Sequence, residues 1–352
     1  MFSEKTKIDL QNVLDEYTSS GKECGCQLAV YHNGTLLYDL ASGWTDETKS
    51  RKVDTQTLFP VFSVGKGIVT TLIHILHEEG MIDYDAPVTG YWKEYGKNGK
   101  EKTLVKDILS HRAGLAHLPV LDKMEDKYNW EHLCKNVEDA APSLPIGGKN
   151  QYHAAIYGVL TGHLAECATG KALTDLLQEK LFAPLGIENM FFTLPEEKYG
   201  NLAKIVNTEN KFYLDHNEKY ALSGLNPSSN GTCNARSLAM MYASLTGDGL
   251  NGKRLLSDET IGNATILCRS SDDPLLPEQW NGFGLGYVLC GPRNEDIGRL
   301  FGHGGACGSE GFADKKTRLA VGFTKNRALP EHPHHKIRDR ISEILGLPSR
   351  VW

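Results

Sequence analysis

The chain has 352 residues, 40 % of them hydrophobic, enough apolar material for a sizeable core in one large domain or two intimate ones. A formal net charge of −6 with no long basic run argues against nucleic acid as a partner, and no apolar stretch is long enough to span a bilayer. Eight scattered cysteines lack any Cys-x-x-Cys pair and follow a polar N-terminus without a secretory or transit pattern, so they read as reduced thiols of a cytoplasmic protein.

Residues 3–20 set Ile8, Leu10, Val13, Leu14 and Tyr17 near helical spacing and predict an amphipathic helix. Two strand-like runs follow, 26–31 and 36–41, joined at Asn33-Gly34, a pair that favours the tight turn of an antiparallel hairpin. A third strand-like run, Leu58 to Phe62, leads into Ser63-Val64-Gly65-Lys66 and then an apolar run, 67–76, read as a buried helix that stops near Gly80. Ser63 therefore stands at the mouth of a helix, with Lys66 one turn along the same face. A serine beside a basic amine is one way to make a nucleophile at neutral pH. The bland alternative for Ser63 is a helix N-cap. Spacing alone does not decide, since Ser19-Ser20-Gly21-Lys22 repeats the pattern in a polar stretch that reads as a helix end.

The middle of the chain is mainly helical. A short helix at 104–111 ends at Gly114, and further helices are expected at 151–168, 172–182 and 235–246. Gln151-Tyr152-His153-Ala154 opens the second of these. A tyrosine can act as general base when a lysine ammonium holds its phenolate form; a desolvated, neutral Lys66 could take the serine proton instead, and both assignments stay open. Strands return at 286–290, 299–303, 309–313 and 318–324, the last two flanking a turn at Asp314-Lys315-Lys316-Thr317, and a helix closes the chain at about 335–345. Phe301-Gly302-His303-Gly304-Gly305-Ala306 ends one late strand. Its glycines admit a substrate close to the backbone, and the N–H of Ala306 with that of Ser63 could form an oxyanion hole.

Strands at both ends and helices between them imply an α+β fold: an antiparallel sheet built from both chain ends with flanking helices, plus an inserted, mainly helical region. The expected division is a sheet domain of residues 1–80 and 281–352 and a helical insertion of residues 81–280.

Five stretches, in order, resemble the serine β-lactamase-like family, which holds class C β-lactamases, esterase relatives and D-peptidases. They are Phe62 to Lys66, Val105 to Leu115, Tyr152 to Gly158, Asn230 to Ala239, and His303-Gly304-Gly305, where the family carries Lys-Thr-Gly or His-x-Gly. The resemblance spans roughly residues 8 to 345 and implies a β-lactamase/transpeptidase-like fold. It implies that Ser63 attacks a carbonyl to form an acyl-enzyme, that Lys66 and Tyr152 share the proton work, and that the N–H groups of Ser63 and Ala306 hold the oxyanion. It also implies that His303, Gly304, Gly305 and Asn230 line the substrate, and that no metal or organic cofactor is needed.

Two departures from the pattern matter. Where the family has Tyr-x-Asn, this chain has Tyr152-His153-Ala154, so the amide that would bond the lysine or a substrate amide is missing. His303 replaces a lysine that helps to bind the drug carboxylate in β-lactamases, and an unperturbed histidine is mostly neutral at pH 7. The reading is therefore a carboxylic-ester hydrolase or acyltransferase, with a small-molecule ester or amide as substrate. β-Lactamase or D-amino-acid peptidase activity, and an inactive binding or scaffold protein, are the alternatives. Other motifs weigh less. Cys307-Gly308-Ser309-Glu310-Gly311 fails the nucleophile-elbow pattern at its first position, Glu331-His332-Pro333-His334-His335 reads as a solvated loop rather than a metal site, and His111 reads as a structural histidine.

Overall fold

A computed structural model describes residues 2–115, 123–206, 208, 210–268, 282–290, 297–328 and 334–348. The run Glu331 to His335, read above as a solvated loop, lies outside the residues whose side chains are described.

Helix α1 (Glu4–Ser19) starts at Ser3, whose hydroxyl accepts from the Thr6 N–H at 3.2 Å, and buries Leu10, Val13, Leu14 and Tyr17. The Ser-x-x-Lys copy at Ser19 is the end of this helix, followed by Gly21 at φ +73°. Strands β1 (Gly25–His32) and β2 (Thr35–Gly43) form the expected hairpin. Asn33 and Gly34 both take positive φ, 46° and 78°, the conformation that matches the twist of paired strands.

Three short strands, β3 (Phe59–Phe62), β4 (Met190–Phe191) and β5 (Gly231–Cys233), make a small sheet in the order β3-β5-β4. Four of the late strands lie close to their expected positions: β7 (Val288–Cys290), β8 (Leu300–Gly304), β9 (Glu310–Asp314) and β10 (Leu319–Lys325); β6 (Gly282–Phe283) precedes them. All pair antiparallel in a seven-stranded sheet, β2-β1-β10-β9-β8-β7-β6, so the C-terminal β10 lies directly against the N-terminal β1, with Leu28 opposite Phe323. The β9–β10 turn is held by Asp314. Its fully buried carboxylate takes a two-pronged bond from Arg299 at 2.9 and 2.8 Å, and accepts from the Lys316 N–H and the Thr317 hydroxyl.

On one face of this sheet α1 packs with the C-terminal helix, His334–Leu345, over a core that includes Val13, Leu28, Phe323 and Ile341. Arg338 of that helix reaches Glu310 of β9 in a buried ion pair at 3.0 Å. On the other side lies the larger core. Helix α2 (Val64–Glu78) runs through it with every residue from Val64 to Leu76 buried, and Gly80 follows at φ +73°, the expected stop. Around it pack α3 (Val105–Leu109), α4 (Trp130–Asp139), α5 (Tyr157–Thr169) and the helix Leu173–Leu177, while Ala235–Ala243 packs on β10 and β1.

Three helices are shorter than the periodicity suggests, the one expected at 104–111 being helical over Val105–Leu109. The segment at 235–246 is helical over Ala235–Ala243, and the one at 151–168 becomes helical only at Tyr157. Ahead of Tyr157, bonds run from residues 150–153 to the end of α3. The Gln151 N–H donates to His111 O at 2.8 Å, the His153 N–H to His111 Nδ1 at 3.1 Å, and the Asn150 amide to Ser110 O at 2.6 Å. These bonds tie the segment to the residues after α3, so Tyr152 sits on a tethered loop.

Candidate active site

Phe62, the last residue of β3, has φ +53°, a region that costs a non-glycine residue conformational energy. Its ring is held there by His216 at 4.0 Å and Tyr213 at 5.8 Å between centroids. This turn swings the chain from strand into helix and leaves Ser63 at the N-terminus of α2. The N-cap alternative fails: the Ser63 side chain makes no capping bond. Its hydroxyl faces Lys66 instead.

Lys66 is fully buried, and its amine donates to Ser63 Oγ at 2.9 Å and to the carbonyl of Ser228 at 3.0 Å. Among the described residues it has no carboxylate partner. Burial without a counter-charge holds its pKa well below the ordinary lysine value, so the neutral amine is favoured.

Ser228 has no signature in the motif, yet its carbonyl is the acceptor that takes the place of the missing amide at Ala154, which is exposed. Ser63 Oγ also lies 3.4 Å from that carbonyl. Two glycines let the 227–228 turn come this close. A Cβ on Gly65 would stand 2.2 Å from Pro227 O, and one on Gly158 would stand 2.5 Å from Ser228 N. The Gly158 N–H also donates to the Ser228 hydroxyl at 2.5 Å. Gly158→Ala is therefore expected to shift the Ser228 carbonyl away from Lys66. Stability should fall by about 1–3 kcal/mol, the usual cost of overpacking, in urea unfolding. Turnover should fall by more than the lost folded fraction explains; unchanged turnover in the folded variant would detach Ser228 from the site.

Tyr152 closes the other side. Its hydroxyl is near Ser63, and its ring lies 5.0 Å from the Lys66 amine and stacks on Phe283 at 5.9 Å and 8°. The residue is 37 % exposed, but desolvation of the hydroxyl pushes its pKa up to about 12. The phenol is therefore neutral near pH 7. A hydroxyl and an amine from the start of α2 and a phenol from a distant loop thus come together.

His303 lies at the end of β8 against α2; a Cβ on Gly67 would stand 3.2 Å from its Cβ. Its ring, 3 % exposed, is 6.1 Å from that of Tyr152, and its Nδ1 meets Gly304 O at 2.7 Å. Burial, with Lys66 adding to it, holds its pKa down to about 3. Gly305 follows close on β3, where a Cβ would stand 2.2 Å from Val61 O. Only glycine lets the turn carrying the exposed Ala306 lie beside the strand that delivers Ser63.

Asn230 does not line this cleft. Its amide nitrogen donates to the carbonyls of Phe192, Ala221 and Gly224 at 2.9, 2.8 and 2.8 Å, and its oxygen accepts from the Asn226 N–H at 3.0 Å. Both amide hydrogens are spent on main-chain carbonyls and the side chain is buried, so it holds the loop before β5 in place rather than facing a substrate. Ser309, of the failed elbow pattern, is fully buried and accepts from the Lys325 N–H. His111 is buried with its Nδ1 accepting from His153, as a structural histidine should be, but its ring also lies 5.1 Å from that of Tyr152. No group of three or more His, Cys, Asp or Glu side chains among the described residues is arranged to hold a metal ion.

The molecule's relatives carry the same architecture. The chain is 30 % identical to the esterase/beta-lactamase LipL of Mycobacterium tuberculosis, over 87 % of this chain and 77 % of that one. A family VIII carboxylesterase superposes with a TM-score of 0.86 at 27 % identity, covering 98 % of both chains. EstA from Arthrobacter nitroguajacolicus Rue61a does so with a TM-score of 0.80 at 25 % identity, covering 96 % of both. The beta-lactamase family model matches residues 10–346. With that match over nearly the whole length, the chain belongs to the beta-lactamase family and is a serine hydrolase of that family.

Proposed function

We propose that the protein hydrolyses uncharged carboxylic esters through an acyl group carried on Ser63. The observation that carries this reading is the Lys66 amine, fully buried without a carboxylate and 2.9 Å from Ser63 Oγ. In its neutral form, which burial favours, it accepts the serine proton as Oγ attacks the ester carbonyl. The N–H groups of Ser63 and Ala306 receive the oxyanion. The proton then passes, through the Tyr152 hydroxyl, to the departing alkoxide, and the acyl group stays on Ser63.

Charge supports an ester ahead of a β-lactam. Among the described residues the basic groups around Ser63 are Lys66, His111, His153 and His303, and burial pushes each below its ordinary pKa, to about 4 for His153 and about 3 for His303. A substrate carboxylate would find no permanent cation among these and would lose its hydration uncompensated. Ala154 offers no amide to a peptide or lactam carbonyl. The expected result is a kcat/KM for short-chain p-nitrophenyl esters at least about a hundredfold above that for nitrocefin, some 2.7 kcal/mol of transition-state binding. Efficient nitrocefin hydrolysis beside idle esters would reverse the assignment. The eight unpaired thiols support a reducing, cytoplasmic setting, and no helix among the described residues is long and apolar enough to cross a membrane.

A further inference from the structure

Two buried nitrogens beside the candidate nucleophile lack hydrogen-bond partners among the described residues: Nε2 of His111 and Nε2 of His303. Buried polar atoms are nearly always paired, so an unpaired one calls for a physical reason. Their hydrogen content follows from their neighbours. His111 Nδ1 accepts from the His153 N–H, so in the neutral ring the proton is on Nε2, which is a donor. His303 Nδ1 faces the Gly304 carbonyl and must donate to it, so its Nε2 carries a lone pair and is an acceptor. Both rings pack on Tyr152, at 5.1 and 6.1 Å between centroids, and both feel the Lys66 amine. One donor and one acceptor, complementary and desolvated, thus flank the hydroxyl, amine and phenol of the site.

We propose that His111 and His303 hold the water that resolves the acyl-enzyme, and that this pair selects water over alcohols, making the protein a hydrolase rather than an acyltransferase. The inference rests on Ser63 carrying the acyl group. Water has two O–H donors and two lone pairs, and this arrangement uses all four. One hydrogen goes to His303 Nε2 and the other to the base, the Tyr152–Lys66 pair. One lone pair accepts from His111 Nε2–H, and the second attacks the acyl carbonyl. The new C–O bond forms as the Ser63 Oγ–C bond breaks. The proton taken by the base returns to Ser63 Oγ, and the carboxylic acid leaves. His303 positions the water rather than taking its proton, since so weak a base holds none at neutral pH. An alcohol has a single O–H. It can satisfy the base or His303 but not both, and one buried acceptor is left unpaired at a cost that water does not incur.

The test is the partition of a p-nitrophenyl acetate acyl-enzyme between acid and methyl ester in graded methanol. Wild type should give mainly acetate, with methyl acetate below its share by molar concentration. His303→Ala should lower hydrolysis about tenfold and raise the methyl acetate-to-acetate ratio by a similar factor, the effect of one buried hydrogen bond. His111→Gln serves as the contrast: its ring N–H serves water and methanol alike, so both rates should fall with the ratio unchanged. Labelling of Ser63 by a fluorophosphonate reports that each variant is folded. If His303→Ala fails that check, His303→Phe keeps the ring volume without either nitrogen and should raise the ratio in the same way. A ratio that stays at the wild-type value in the His303 variant, a ratio that moves equally in His111→Gln, or a wild type that transfers to methanol in preference to water would each overturn the proposal. A wild type that hydrolyses esters without labelling at Ser63 would instead remove the acyl-enzyme reading on which it rests.

Discussion

Ser63→Ala gives a folded protein that no fluorophosphonate labels and that hydrolyses no ester above background. The structural cost is small because the hydroxyl is not capping α2, and the Lys66 amine keeps its bond to the Ser228 carbonyl when Oγ is removed. The functional cost is the whole covalent route. In serine hydrolases removal of the nucleophile costs on the order of 10⁴-fold or more, and what remains is oxyanion stabilisation and binding. Intact-mass spectrometry during turnover of a p-nitrophenyl ester reads the result directly: an acyl adduct on wild type, none on the variant. An adduct that persists in Ser63→Ala would assign the chemistry to another side chain. A wild type that neither labels nor turns over esters would favour a binding or scaffold protein on the same fold.

The antiparallel sheet from both chain ends was legible because its signals are local. Asn33-Gly34 has a turn of its own, and Asp314 carries the oxygens that hold the β9–β10 turn. Ser63 was legible for the same reason: a strand, a serine, a lysine one turn on and a long apolar helix follow each other directly. What was not legible depends on partners distant in sequence. Apolar spacing extends a helix through Tyr152, but backbone groups at 151 and 153 are claimed by His111, some forty residues earlier. Asn230 looks like a polar residue free to meet a ligand until the folded loop brings three carbonyls around its amide, the one of Phe192 from 38 residues away. Ser228 acts through its main-chain carbonyl, which any residue has, so its identity carries no signal. The trace it leaves is indirect: glycines at 65 and 158, where its approach forbids a side chain. The conformation of Phe62 is likewise imposed by the rings of Tyr213 and His216 packed against it, not by its own preference.

Lys66→Met separates the two consequences of burying an amine. The activity expected to be lost is about a hundredfold or more, the usual contribution of a positioned base. In the proposed mechanism the base works only as the neutral amine. Because burial lowers its pKa in the folded protein, activity should rise with pH through that depressed value and fall away as pH drops below it, with the limb well under the ordinary lysine range of about 10.4. The acidic limb should vanish from the residual activity of Lys66→Met, because the group that titrates is gone. Stability should move the other way. The unfolded chain binds a proton at Lys66 more readily than the folded one, so in wild type the folded state gains stability as pH rises between the folded and unfolded pKa values, and loses it as pH falls. A methionine of similar length fills the same space with nothing to desolvate. Lys66→Met should therefore unfold at a higher temperature than wild type, and the margin should widen as the pH is lowered. The competing effect is the Ser228 carbonyl, which loses the amine that donates to it but keeps Ser63 Oγ at 3.4 Å as an alternative donor. Thermal unfolding of the two proteins across a pH series, beside their ester pH–rate profiles, decides the matter. A variant that is less stable at every pH, or that keeps the wild-type acidic limb, would mean that the amine is charged in the folded protein and that another group takes the serine proton.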